Sequence, residues 1–176
     1  RAFIADPNWG EKARCGNEED IIPCVRCLRC LNYARKHSGT SMCTVNPRRI
    51  FPRPLTNFET NSDMKKVVVI GGGPAGMQAA FEIAKKGHSV VIFEKDSKLG
   101  GRLSFADHIV FKKDIKKYRD YLIKQVEKSD KITIKLGVTA TKEIVENENP
   151  DAVVVAIGAE KFTPDIKGVD LPNVIH

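Results

Sequence analysis

"VVVIGGGPAGMQAA", residues 67–80, runs a β-branched apolar stretch into three glycines and then into helix-forming residues. Val67 to Ile70 reads as a strand buried on both faces, because its apolar run has no polar alternation. Ala75 to Lys86 predicts a helix with Gly76, Ala79, Ala80, Ile83 and Ala84 on one face, and Gly87 suits the position after its end. Between strand and helix, Gly71, Gly73 and Gly76 spell G-x-G-x-x-G. In that context the pattern is a phosphate-binding turn. Gly71 allows the tight turn, Gly73 lets the backbone approach a pyrophosphate, and Gly76 lets helix and strand pack closely. Pro74 and Ala75 open the helix, whose free N–H groups and positive end favour an anion.

Downstream, Ser89 to Phe93 predicts a second strand, with Glu94 at its end. A carboxylate there accepts hydrogen bonds from both ribose hydroxyls of an adenosine and repels a 2′-phosphate, which disfavours NADP at this loop. A helix near 112–128, a strand near 131–136 and a buried strand near 152–156 follow. Strands alternating with helices predict an α/β fold, a Rossmann-like FAD/NAD(P)-binding parallel sheet with right-handed crossovers. The stretch from Glu94 and Lys95 to Gly100, Gly101 and Arg102 resembles the FAD-binding stretch of flavoproteins with two dinucleotide-binding domains, where the second diglycine lies near the flavin pyrophosphate. "VVVAIGA", residues 153–159, resembles a later strand of those proteins that usually ends Ala-Thr-Gly, with Ile157 in place of the threonine.

Residues 1–60 are different. They hold all five cysteines and the prolines Pro7, Pro23, Pro47, Pro52 and Pro54, so turns held by something other than a core are expected. Residues 46–63 read as an extended connection. The division predicted is therefore a loop-rich cysteine segment with its linker over 1–60 and the dinucleotide-binding domain over 61–176. Cys24, Cys27, Cys30 and Cys43 follow the pattern C-x2-C-x2-C-x12-C. A tight loop presents three thiolates at three-residue spacing and a remote cysteine closes a fourth corner, as a cuboidal 4Fe–4S cluster requires. Tetrahedral zinc more usually pairs two C-x2-C knuckles, and the second knuckle is missing here, although zinc stays open as the alternative. Cys15 falls outside the spacing and reads as a plain loop thiol.

Composition narrows the classes. An apolar fraction of 41% is globular rather than disordered. No apolar run is long enough to span a bilayer, and residues 1–7 do not have the pattern of a signal peptide, so no membrane partner and a cytoplasmic, reducing setting are expected. There, clustered cysteines bind metal or carry out redox work more often than they form disulfides. The net charge of +7 invites nucleic acid. Against that, Lys112, Lys113, Lys116, Lys117, Lys124 and Lys128 interleave with Ile115, Tyr118, Leu122 and Val126 and read as the wet face of an amphipathic helix. No basic motif with stacking aromatics appears, and no nucleic-acid partner is expected.

The order of motifs carries a resemblance. "RAFIADPNWGEKARCG", "IIPCVRCLRC", "CTVNP", "KKVVVIGGGPAGM" and "EKDSKLGG" follow one another. This order closely resembles the C-terminal part of large bacterial NADH:flavin oxidoreductases of the Old Yellow Enzyme superfamily, among them 2,4-dienoyl-CoA reductase, 2-enoate reductase, the bile-acid-inducible oxidoreductases and trimethylamine dehydrogenase. The resemblance implies an FMN-containing TIM barrel before residue 1 and an NAD(P)H domain after residue 176, both expected as the missing partners of this chain. It implies that Arg1 approaches the FMN phosphate, that Cys24, Cys27, Cys30 and Cys43 hold the cluster beside the barrel, and that FAD fills the glycine loop. In the reductases electrons pass from NAD(P)H through FAD, cluster and FMN to an activated C=C bond. In the amine-dehydrogenase branch a nucleotide without flavin, such as ADP, can take the FAD place. The sequence thus reads as an electron-relay fragment, inactive on an enoate by itself. Two alternatives stay open: a relative of the glutamate synthase small subunit, and a zinc-stabilised nucleotide-binding module. Pairing with a second copy is also left open.

Overall fold

A computed structural model describes residues 2–37, 41–49, 63–159 and 162–174. Arg1, expected at an FMN phosphate, and most of the expected extended connection, residues 50–62, lie outside them. Within that connection Pro47–Arg49 forms a 3-10 turn.

The four strands are β1 (Lys66–Ile70), β2 (Ser89–Glu94), β3 (Ile132–Leu136) and β4 (Ala152–Val155). The helices, in chain order, are α1 (Ala2–Ala5), α2 (Trp9–Arg14), α3 (Arg29–Lys36), α4 (Pro74–Lys85), α5 (Lys113–Glu127) and α6 (Lys142–Asn147). The sheet is entirely parallel, in the order β3-β2-β1-β4. This is the α/β, Rossmann-like fold expected from the alternation of elements.

Side chains alternate across β1 and β2, so the sheet has two apolar faces. Val69, Val90 and Ile92 meet Met77, Ala80 and Ala84 of α4 and Leu122 and Val126 of α5. Val68, Val91 and Phe93 pack on the opposite face with Val138, Ile144 and Val145. Each fully buried side chain of this size contributes roughly 1.5–3 kcal/mol, which makes the two central strands the stable centre of the fold. On α4, Met77 is fully buried although the expected stripe omitted it, while Ala79 and Ile83 are half-buried.

One expectation is corrected. The strand near 152–156 was expected to be buried. Instead, among the described residues, β4 pairs only with β1, and Val153 and Val155 are 44% and 65% exposed. A run of valines signals an apolar neighbour on each face, but only position in the sheet supplies one, and β4 is an edge strand. The expected wet face is present: Lys113, Lys116, Lys117, Lys124 and Lys128 are exposed. Lys124 and Lys128 pair with Glu19, and Lys128 also pairs with Asp20, both from the cysteine-bearing segment. Gln125 donates to Asp20 at 3.1 Å. One flank of α5 packs on the sheet and another receives residues 19–26.

That segment is knit by polar contacts around a small apolar cluster of Ala5, Cys43 and Val45. Asp6, which is buried, accepts from the N–H of Asn8 at 3.0 Å and of Ile22 at 2.9 Å, and from Lys12 at 2.7 Å. Burial pushes its carboxyl up, but Lys12 and the two N–H groups outweigh this and hold it below the usual range. Asn46 donates to the Ile4 carbonyl at 3.0 Å. Phe3 and Trp9 meet edge to face, with centroids 5.5 Å apart.

Candidate functional site

The turn between β1 and α4 is built by close approach. A Cβ on Gly71, which has φ of 107°, would lie 2.4 Å from the Ala156 carbonyl oxygen. A Cβ on Gly76 would lie 1.9 Å from the Gly71 oxygen. Both positions are closed to any side chain by backbone. Gly73 is the opposite: nothing stands within 4 Å of where its Cβ would be, and its backbone is extended. Packing does not require glycine there, so the open space in front of Gly73 fits a ligand phosphate. Pro74 sits in the first turn of α4 and no side chain caps that helix, which leaves its first N–H groups facing the same space.

Glu94 is 6% exposed at the end of β2. Its carboxylate accepts from the Gly72 N–H at 2.6 Å and from the Asp96 N–H at 2.9 Å. These two bonds orient it beside the glycine turn and leave lone pairs for ribose hydroxyls. Gly100 donates to the Gly72 carbonyl at 2.9 Å, and a Cβ on Gly101 would come within 3.0 Å of the Gly73 Cα. The two glycine stretches, apart in sequence, are therefore in contact. Both Gly100 and Gly101 have positive φ, which glycine adopts without strain. Arg102 is exposed and donates to the Ala159 carbonyl, while Lys95 and Ala75 are exposed.

Gly100 reveals a residue that the sequence reading missed. A Cβ there would lie 2.8 Å from Cδ of Arg119, so the stem of that arginine covers the second diglycine. Arg119 is only 8% exposed on α5. Its guanidinium donates to Asp107 at 2.5 Å and to Asp120 at 2.6 and 2.9 Å. Arg119 holds the Asp107 carboxyl down at about 2, with Lys116 adding to the effect and burial opposing it. A charged residue on the apolar stripe, four positions after Ile115 and three before Leu122, was the signal available.

Cys24, Cys27, Cys30 and Cys43 line one pocket together with Ile4, Val25, Arg26, Leu28, Thr44 and Val45. Cys15 is exposed and lies outside it. Arg26 and Leu28, which flank Cys27, have φ of 51° and 58°, left-handed values that cost roughly 1–2 kcal/mol each outside glycine. The strain turns the loop so that its thiols share one pocket. Burial pushes the Cys27 thiol up, but the Thr44 hydroxyl 3.2 Å away, the Arg29 and Cys27 N–H groups and the Arg29 charge bring it below its usual range. Burial keeps the Cys43 thiol raised, opposed by the N–H groups of Val45 and Asn46. Among the described residues, no three or more His, Cys, Asp or Glu side chains form a group that could hold a single metal ion.

The loop is tied to α5. Arg26 pairs with Asp114. Tyr118 packs against the Cys43 cluster from one side and the sheet core from the other. Burial, with the Cys43 charge adding to it, pushes its hydroxyl up to about 12.

The sequence profile of the pyridine nucleotide-disulphide oxidoreductase family matches residues 65–176. Over 98% of this chain, an NADH oxidase of Thermoanaerobacter brockii is 39% identical, with the match spanning 27% of that protein. A solved 2-naphthoyl-CoA reductase complexed with 2-naphthoyl-CoA superposes with a TM-score of 0.85 at 32% identity, over 98% of this chain and 26% of its own. The 6-hydroxypseudooxynicotine amine oxidase of Pseudomonas geniculata N1 gives a TM-score of 0.82 at 29% identity, over 98% of this chain and 28% of its own. The chain thus spans about a quarter of the length of these relatives, and the resemblance to large oxidoreductases holds across the cysteine segment as well. No helix among the described residues is long and apolar enough to cross a membrane.

Proposed function

The chain belongs to the pyridine nucleotide-disulphide oxidoreductase family, and from that premise we propose that it is the electron-relay section of a larger flavin- and iron–sulfur-dependent oxidoreductase. The observation that carries the proposal is the convergence of the four thiols on one pocket, docked on the helix whose Arg119 covers the second diglycine. On this reading residues 1–60 are the tail of a barrel, the cluster-binding segment and a linker, and residues 61–176 are the FAD-binding domain.

Gly71, Gly73, Pro74, Ala75 and Gly76 cradle the pyrophosphate, Glu94 takes the ribose, and Lys95, Gly100, Gly101 and Arg102 border the flavin half. Cys24, Cys27, Cys30 and Cys43 hold a 4Fe–4S cluster. A cuboid takes each thiolate on a different iron, whereas zinc gathers all four on one ion at about 2.3 Å; three cysteines at three-residue spacing with one remote cysteine support the cuboid. Bound together, the two groups convert the two-electron chemistry of a nicotinamide into single-electron steps. The protein's own part is to exclude water from the Cys43 corner, to lower the Cys27 thiol through Thr44 and Arg29, and to fix the Glu94 carboxylate. The remaining length of the parent is read as an FMN barrel that reduces activated C=C bonds and an NAD(P)H domain, in a cytoplasmic setting.

A second reading places the chain in an amine-oxidising branch with ADP at the glycine loop. The likeness to the amine oxidase, at a TM-score of 0.82, favours it.

The test is an anaerobic absorbance spectrum with iron and acid-labile sulfide assays, followed by chromatography of the nucleotide released on heating. About four irons and four sulfides per chain, lost in Cys27→Ala, are expected. Zinc without sulfide overturns the relay, and released ADP in place of FAD selects the second reading.

A further inference from the structure

We propose that Tyr118 and Arg119 form a positioning link that sets the separation of the cysteine pocket from the dinucleotide loop, and with it the rate of electron transfer between them. The inference rests on the reading of a 4Fe–4S cluster and FAD given above.

Consecutive residues on a helix point about 100° apart, so two neighbours are both enclosed only where the helix is covered on two sides. That is the situation here. Among the described residues, Tyr118 alone packs against both the cluster formed by Ala5, Cys43 and Val45 and the core that contains Leu122 and Val126. The Tyr121 ring lies nearly parallel to it, 6.4 Å away at 19°. Arg119, the next residue, lays its stem over Gly100, whose N–H bonds the Gly72 carbonyl. Asp107 and Asp120 hold its head. A chain of contacts therefore runs from Cys43 through Tyr118, across one peptide bond to Arg119, and on to Gly100 and Gly72. That peptide fixes the two Cα atoms about 3.8 Å apart, so the centre of the link cannot stretch.

The other ties between cysteine segment and α5 are softer. Arg26–Asp114 and Lys124–Glu19 are solvent-facing ion pairs screened by salt, and Gln125 adds a single hydrogen bond of 3.1 Å to Asp20. Tunnelling falls exponentially with separation, so a small retreat of the pocket from the loop slows transfer even when both groups remain bound.

The test uses the full chain loaded with iron, sulfide and FAD. A flash-generated 5-deazaflavin radical donates one electron to the flavin, which passes it to the oxidised cluster; no bond is made or broken in the second step. Flavin reoxidation and cluster reduction are followed together, and midpoint potentials are measured by redox titration. Tyr118→Phe, which keeps the ring, is expected to transfer at the wild-type rate. Tyr118→Leu and Arg119→Met are expected to slow transfer about tenfold or more, with iron, sulfide, flavin and midpoint potentials unchanged. Loaded Tyr118→Leu or Arg119→Met at the wild-type rate overturns the link, as does slowing fully accounted for by a shifted potential. Should Tyr118→Leu fail to load, Arg119→Met decides. A wild-type chain with zinc and no sulfide fails at the earlier reading, before any rate is measured, and so is distinguishable.

Discussion

Around residues 71–76 the candidate binding surface is backbone, and around residues 24–30 it is side chain. The glycine turn is fixed from behind by Ala156, Gly71 and Leu99, with two apolar layers beneath it. The cysteine loop rests on a small cluster, a buried carboxylate and two strained residues. The comparison teaches where each site draws its order. Core packing forms the glycine turn before any nucleotide arrives. The cysteine loop carries strain at Arg26 and Leu28, and under the proposed cluster reading a bound group would offset it, as in small segments whose metal binding is part of their folding free energy.

That difference can be broken by substitution, beginning with the largest effect. Gly76→Ala drives a Cβ into the Gly71 carbonyl and is expected to destabilise the domain by about 3 kcal/mol or more, read from its urea midpoint. Gly73→Ala meets nothing, so its midpoint should stay within about 0.5 kcal/mol of wild type. Its affinity for FAD and ADP, measured by calorimetry, should nevertheless fall about tenfold or more, because the new methyl occupies ligand space. Equal losses of stability in both variants would refute the distinction between packing and ligand glycines.

Asp6→Asn tests the other region. It removes a buried anion that holds the Asn8 and Ile22 N–H groups, and should cost about 1–3 kcal/mol. The loss should appear as faster hydrogen exchange at Ile22, with little change at Val68 or Val91. Acid sharpens the comparison. The Asp6 carboxyl lies lower in the fold than its ordinary value of 3.8, so the contribution is present at neutral pH and is lost as pH falls below that value. Asp107, ordinarily 3.8 and held at about 2, loses its contact with Arg119 as pH falls from about 4 to about 2. The cysteine segment and the diglycine cover should therefore open in acid before the central strands. The smallest effect is expected from Arg26→Met, which removes an exposed pair worth roughly 0–1 kcal/mol; a larger loss of bound iron would promote that pair to an anchor.

Much of this was legible in the chain. The run from Val67 to Ala80 predicts strand, turn and helix, and each lies within a residue or two of its expected place. The cysteine spacing, taken alone, names the residues that line one pocket. Arg119 was hidden because a lone arginine among the four lysines of α5 looks like solvent-facing charge, and only the absence of a side chain at Gly100 gives it a place to lie. Tyr118 was visible as an apolar position of α5, but not as one that serves two clusters. Glu19 and Asp20 carry no pattern that assigns them partners more than a hundred positions away.

The sequence by itself determined the local pattern: a parallel α/β unit, a glycine turn between strand and helix, a carboxylate at the strand end, and four cysteines that line one pocket. These depend on periodicity and on conformational limits that act over a few residues. Tertiary structure alone decided that β4 is an edge, that the second diglycine closes on the first, and that one helix joins the two sites through neighbouring residues. Such facts depend on contacts between residues distant in sequence, and those contacts exist only once the chain has folded.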